Sequence, residues 1–178
     1  YQLNSVMREH AAGNVKTLTT LVGQSPAMLQ YLDSAQNTKD GPNENWAREL
    51  LELFTLGHGA YSEHDIKEAA RAFTGWTCNH ERFIFRERDH DTGEKSFLGR
   101  SGAFTGEDII DIVFDQPACA EHFAHKLWRY FAYDDPEPEI VSGLAATLRD
   151  NNYELAPMLK QLFLSQAFYS ERAIGTQI

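Results

Sequence analysis

The stretch from Gly41 to Trp76, GPNENWARELLELFTLGHGAYSEHDIKEAARAFTGW, constrains the fold most, because it holds two helix signatures separated only by a short glycine loop. Gly41-Pro42 stops what precedes it, and the Asn43 side chain offers an acceptor to the free amides of a first helical turn. The pattern predicts a helix from there to Leu56, closed by Gly57. Ser62-Glu63-His64-Asp65 is a capping box with Asp where Glu or Gln is usual, and it predicts a second helix to about Phe73, before Gly75. Helices joined so closely must pack. Trp46, Leu50, Leu53, Phe54, Ile66, Phe73 and Trp76 are the expected shared cluster.

At 100° per residue, the first helix puts Trp46, Ala47, Leu50, Leu51, Leu53 and Phe54 in one broad apolar sector. Asn45, Arg48, Glu49, Glu52 and Thr55 share the narrow remainder, with Asn45, Glu49 and Glu52 along one edge. Two readings stay open. The edge is either a solvated face with an Arg48–Glu52 pair, or the lining of an internal cleft, since a helix so nearly surrounded shields its polar groups and shielded carboxylates need partners.

PNENWARELLELFTLG, YSEHDIKEAARAFTGW and HDTGEKSFLG resemble a large bacterial family of uncharacterised proteins, the domain of unknown function numbered eighteen hundred. MREHAAGN, PAMLQYLD, GEDIIDIVFDQPACAEHFAHKLWRYF and FLSQAFYSE are similar to the same family, so the resemblance covers almost the whole chain. It implies a helical bacterial protein, often from a longer, exported precursor, with no established activity. Its members carry further sequence on both sides of this stretch, so the resemblance implies an internal fragment and an exported or periplasmic location. His90, Asp91, Gly93 and Lys95 fall on the family's recurring loop motif, without an assigned role.

With 178 residues, one domain spanning 1–178 with a proper core is expected. A net charge of −10 repels a phosphate backbone, which argues against nucleic acid as a partner. No apolar run approaches the length of a membrane span. Cys78 and Cys119 are too few for a disulfide framework, and Cys119 is expected reduced and buried.

Before the central pair, the spacing predicts helices over Gln2–Ala12, after Asn14, and after Ser25-Pro26; Asp33–Gly41 reads as an exposed loop. After it, Phe83–Arg86 and Ser96–Leu98 are expected to form one two-stranded hairpin. Helices then follow over Ile109–Asp115, from Gln116-Pro117 to about Tyr133, over Ile140–Asp150 and over Glu154–Leu164. The expected fold is all-α, a multi-helix orthogonal bundle with a small two-stranded β-hairpin insertion.

Chemistry is thinly marked. The loop RDHDTGEKSFLG opens like a calcium loop, yet Arg100 and Glu94 stand where an acidic residue and a glycine belong, so a turn held by Asp side chains is the simpler reading. His122 and His125 are spaced for a metal, but Arg129 shares their sector and no third ligand is fixed. His64 and Glu68 sit one turn apart beside Lys67 and Arg71, which reads as a charged solvent face. No metal site is assigned, and no cofactor or catalytic residue is named. The candidate cleft combines Asn45, Arg48, Glu49, Glu52, His90, Asp91 and Lys95. The expected function is a binding or assembly module acting through the central helix pair, with its protein or small-molecule partner unnamed; the alternative is a hydrolase, metal-assisted or not, in which Glu49 and Glu52 meet His90 and Asp91. Self-association is expected through apolar faces at Leu3, Val6 and Met7 and near Ile174 and Ile178.

Overall fold

The computed structural model describes residues 2–175 and is mostly helical. Three helices open the chain, α1 (Gln2–His10), α2 (Val15–Gly23) and α3 (Pro26–Tyr31). The Asn14 side chain accepts from the Thr17 amide and that of Ser25 from the Met28 amide, as the cap signals require. The expected loop after α3 is more ordered than its composition suggests. It holds a 3-10 turn, Ser34–Gln36, and Asn37 is buried. An amide side chain is donor and acceptor at once. Asn37 donates to the Ala70 carbonyl and accepts from the Asn43 amide, while its own carbonyl accepts from Gly75.

The central helix starts with α4 (Asn45–Glu49); the Asn43 side chain, one residue before the cap position Glu44, accepts from the Asn45 amide. From Leu50 to Thr55 it widens into a π-helix, in which the Thr55 hydroxyl donates to the Leu50 carbonyl and the Leu56 amide to the Leu51 carbonyl. Bonds to the fifth residue back lengthen each turn, so the inward positions run Trp46, Ala47, Leu50, Leu51, Thr55 and Leu56. This corrects the expected cluster. Leu53 turns outward and is 49% exposed, Phe54 is only partly buried, and Thr55 goes inside.

The second helix of the pair, α5 (Glu63–Ala72), is capped reciprocally by Ser62 and Asp65. Trp46, Phe73, Trp76 and Phe83 then follow one another edge to face through the shared core. Two hairpins replace the single one expected. β1 (Trp76–Cys78) pairs with β2 (Phe83–Phe85), and β3 (Lys95–Phe97) with β4 (Arg100–Gly102). Each segment takes the nearer partner because a short loop closes at lower entropic cost. The Asn79 side chain holds the first turn by accepting from the Glu81 and Arg82 amides. Leu98 and Gly99, at φ 46° and 76°, make the second a two-residue turn of left-handed residues.

The remaining helices are α6 (Gly106–Phe114), α7 (Pro117–Phe131), α8 (Pro138–Asp150) and α9 (Leu155–Leu164), with α8 packed on both α7 and α9. The start of the chain is tied to this end: the Val15 amide donates to the Tyr153 carbonyl and the Leu155 amide to that of Gly13. Both cysteines are free, and burial pushes the Cys119 thiol up to about 12. Met7 and Ile174 are exposed apolar side chains, and Leu3 and Val6 are half-buried; Ile178 lies outside the described residues. No helix among the described residues is long and apolar enough to cross a membrane.

Candidate functional site

The loop residues His90, Asp91 and Lys95 fold onto α5 through Arg71. Its guanidinium reaches Asp91 through Nε at 2.7 Å, and through Nη1 it reaches both oxygens of Glu68 at 2.9 and 3.0 Å and the Glu94 carbonyl. Glu68 also accepts from the Ser96 amide and Asp65 from the Leu98 amide, so α5 holds β3 and its turn by carboxylates. Glu68 is buried. The solvated face expected around His64 and Glu68 is corrected on this side, because Ile66, Ala69 and Ala70 draw the helix into the core and carry Glu68 with them.

Lys95 is 1% exposed, and its ammonium donates to the carbonyls of Asp91 at 2.6 Å and Gly93 at 2.9 Å. Burial lowers its pKa. His90 Nδ1 lies 2.9 Å from the Thr74 carbonyl, and the Thr74 hydroxyl accepts from the Asp91 amide. Gly93 donates to the Asp91 side chain, the turn held by Asp that the sequence favours over a calcium loop. Hydrogen bonds from Arg71 hold the Asp91 carboxyl below its ordinary value. Burial works to raise Glu68, but its bonds to Arg71 and the Ser96 amide leave it lowered as well.

The helix residues of the candidate cleft meet other partners. Arg48 forks onto Glu63 at 2.8 and 2.9 Å and touches Glu44 at 3.2 Å; the Asn45 amide group donates to the Leu32 carbonyl. Glu52 stands 3.4 Å from both His58 and the Tyr61 hydroxyl. Glu49 is half-buried, and its carboxylate makes no hydrogen bond or ion pair among the described residues. Of the four side chains that the hydrolase alternative needs, Glu52 engages His58 and Tyr61 on the helix edge, His90 and Asp91 engage Thr74 and Arg71 in the loop, and Glu49 engages neither set.

Around Glu49 lies a cleft of about 500 Å³, walled by Met28, Tyr31, Leu32, Leu53 and Phe54. Phe54 also lines a second, apolar cleft of about 160 Å³ with Met7, Val15, Trp46, Phe123 and Lys126, so the two meet along one side chain. The π-helix shapes this trough. The Gly57 amide bonds the Leu51 carbonyl, and that of Leu53 accepts instead from His122 Nε2 at 3.1 Å and Lys126 Nζ at 2.8 Å of α7. Gly57 has φ 73°, and a Cβ there would lie 2.8 Å from His122 Nδ1, so this approach requires glycine. Burial pushes the His122 imidazole below its ordinary value. Among the described residues no three His, Cys, Asp or Glu side chains are grouped to hold a metal.

The family model described as Protein of unknown function (DUF1800) matches residues 1–178. The chain belongs to that family. No curated protein and no solved structure matches it. In this DUF1800 chain, Arg71, Glu68, Thr74 and Asn37 organise the loop; sequence read Glu68 and Arg71 as part of a charged solvent face and did not single out Thr74 or Asn37. The Glu68–Arg71 spacing of three was their one visible signal, and it looks the same on a solvated helix.

Proposed function

We propose that this chain is a binding module that docks a short apolar segment of a protein partner in the trough along its central helix, with a basic side chain of that segment over Glu49. Glu49 carries the reading: a half-buried carboxylate without a partner, on the wall of an otherwise apolar cleft of about 500 Å³. Buried charges ordinarily have partners, so this one is open to a cation. The net charge of −10 favours the same sign of partner, and the outward Leu53 and Tyr31 supply apolar contact beside it. Docking of this kind puts residues at helical spacing into a groove.

The test is peptide display against the folded chain. Enriched sequences should carry aliphatic residues three or four apart with an adjacent Lys or Arg, and should be lost on Leu53→Asp and weakened on Glu49→Lys. Failure to enrich, or binders indifferent to both substitutions, sinks the reading. Capture of a second copy of this chain, seen as concentration-dependent scattering abolished by Leu53→Asp, would replace the foreign partner with self-association.

A further inference from the structure

The apolar cleft of about 160 Å³ at the far side of Phe54 has three rings in its walls, Trp46, Phe54 and Phe123, with Leu18 and Met7 beside them. Its size is close to that of an engineered apolar cavity of about 150 Å³ that takes up benzene, so it has room for one six-membered ring and little more. The walls are held in place: the Trp46 ring lies 6.0 Å from that of Phe54 and 6.1 Å from that of Phe73. Aromatic walls favour an aromatic occupant, because ring-on-ring contacts add to what the burial of apolar area supplies. The side toward α1 is only loosely closed. α1 has no buried residue, and Met7, which it contributes to the cleft, is 48% exposed. A ring seated there gives the Met7 thioether a favourable contact that the chain itself does not provide.

Lys126 is the one charged residue on this lining. Its Nζ donates to the Leu53 carbonyl at 2.8 Å, on the backbone next to Phe54, and that bond uses one of the three donors of an ammonium. Among the described residues it forms no ion pair, although the chain carries 26 acidic residues against 16 basic ones. Partial burial lowers its pKa, and no carboxylate acts to raise it again. The cleft therefore joins a ring-sized apolar hole to a cation whose counter-charge the chain leaves out.

We propose that this cleft binds an aromatic acid, a single ring with a carboxylate on a short tether, the ring held between Trp46, Phe54 and Phe123 and the carboxylate accepting from the remaining donors of Lys126. An aromatic cation is repelled by Lys126, and a neutral hydrocarbon leaves the ammonium without a counter-charge. The volume falls below the range of about 300–1,000 Å³ usual for drug-sized ligands, so the occupant is small. The same chemistry comes from two sources, a free aromatic acid or the carboxy-terminal phenylalanine of a chain, whose ring and α-carboxylate are equally close. Glu49 and the basic side chain proposed for it belong to the neighbouring cleft, so this site does not rest on the docking reading.

The three methionines of the chain stand as separate reporters: Met7 lines this cleft, Met28 lines that of Glu49, and Met158 is fully buried in the core. Protein labelled with 13C at the methionine methyl groups, its resonances assigned by single substitutions to leucine, is titrated with 3-phenylpropionate, with the neutral 3-phenylpropanamide and with the tripeptide glycylglycylphenylalanine. The Met7 methyl should shift and saturate with 3-phenylpropionate while Met28 and Met158 stay still; the same shift with the tripeptide identifies a chain end, and its absence a free acid. The neutral amide should bind several-fold more weakly than the acid, and this difference should vanish in Lys126→Met, which removes the charge and keeps the rings. Leu18→Trp, which fills the cleft from a half-buried position, should abolish the shift with the spectrum still dispersed. A Met7 methyl indifferent to 3-phenylpropionate overturns the proposal, as does equal affinity for acid and amide or a shift that survives Leu18→Trp. A response confined to Met28 overturns it too, and leaves the docking reading standing.

Discussion

Two polar regions flank the central helix pair, and they use the same residue types to opposite ends. At the loop, Arg71 is enclosed by two carboxylates and a carbonyl, and Lys95 spends its donors on backbone oxygens. At the helix edge, Arg48 pairs with Glu63 in open solvent, and Glu49 has nothing. The first region is closed on itself and stiffens β3 against α5. The second leaves a charge unspent beside apolar walls. A buried charge whose bonds all lie within the chain is a tie; a shielded charge without a bond is an invitation to a ligand.

The sharpest contrast pairs two arginines. Arg71→Met takes the guanidinium from Glu68 and Asp91, with Lys95 still acting on Asp91 through space, and should cost about 3 kcal/mol, the low end for removing one member of a buried ionic group, because Arg71 keeps part of its side chain in solvent. Arg48→Met breaks an exposed pair and should cost about 1 kcal/mol or less. Urea denaturation of both variants measures the difference. Equal losses would erase the distinction between the two regions.

Acid should weaken the loop. Asp91 and Glu68 have folded pKa values below their unfolded ones, so the native state binds fewer protons than the unfolded chain in the window between the two. Their contribution is full above the unfolded values, about 3.9 and 4.3, and is lost as pH falls through the depressed folded ones. Melting temperature should therefore drop more steeply below about pH 4 in the wild type than in Arg71→Met, where the partner that depresses them is gone. Parallel curves would show that these carboxylates are not coupled to Arg71.

Helix starts were legible because they depend on neighbours in sequence: Asn14, Ser25, Ser62 and Thr105 each cap the helix their position announces. What escaped depends on partners far along the chain. Asn37 looked like loop polarity, and only contact with Ala70 and Gly75 makes it a hub. The widening at Leu50–Thr55 was equally hidden, since an apolar sector drawn at 100° per residue assumes the winding it is meant to test; it placed Leu53 inside and Thr55 outside, the reverse of the fold. For the candidate site, sequence marked charged residues on helix and loop but gave no sign that Arg71 would claim Asp91, or that Glu49 would be left alone.

The wall of the trough can be tested between these extremes. Lys126→Met removes one of two donors to the Leu53 carbonyl, leaving His122, and should cost about 1 kcal/mol, the net worth of an ordinary hydrogen bond. A loss as large as that of Arg71→Met would make the trough a second tie.

The smallest expected effect decides most about the helix edge. A carboxylate that holds the fold together loses charge-assisted hydrogen bonds when it becomes an amide, at about 1–3 kcal/mol. Glu49 has no such bonds to lose, so Glu49→Gln should change stability by no more than about 0.5 kcal/mol, and the relief of an unpartnered shielded charge should push that change toward stabilisation. Binding should respond in the other direction. A peptide selected for its basic residue should lose affinity for Glu49→Gln and hold it for Glu52→Gln, because Glu52 is already engaged with His58 and Tyr61. Thermal melts and peptide titrations of the two variants separate the roles. A Glu49→Gln protein that melts well below the wild type would show that Glu49 is a structural member of the helix, and the trough would then have no unspent charge to offer a partner.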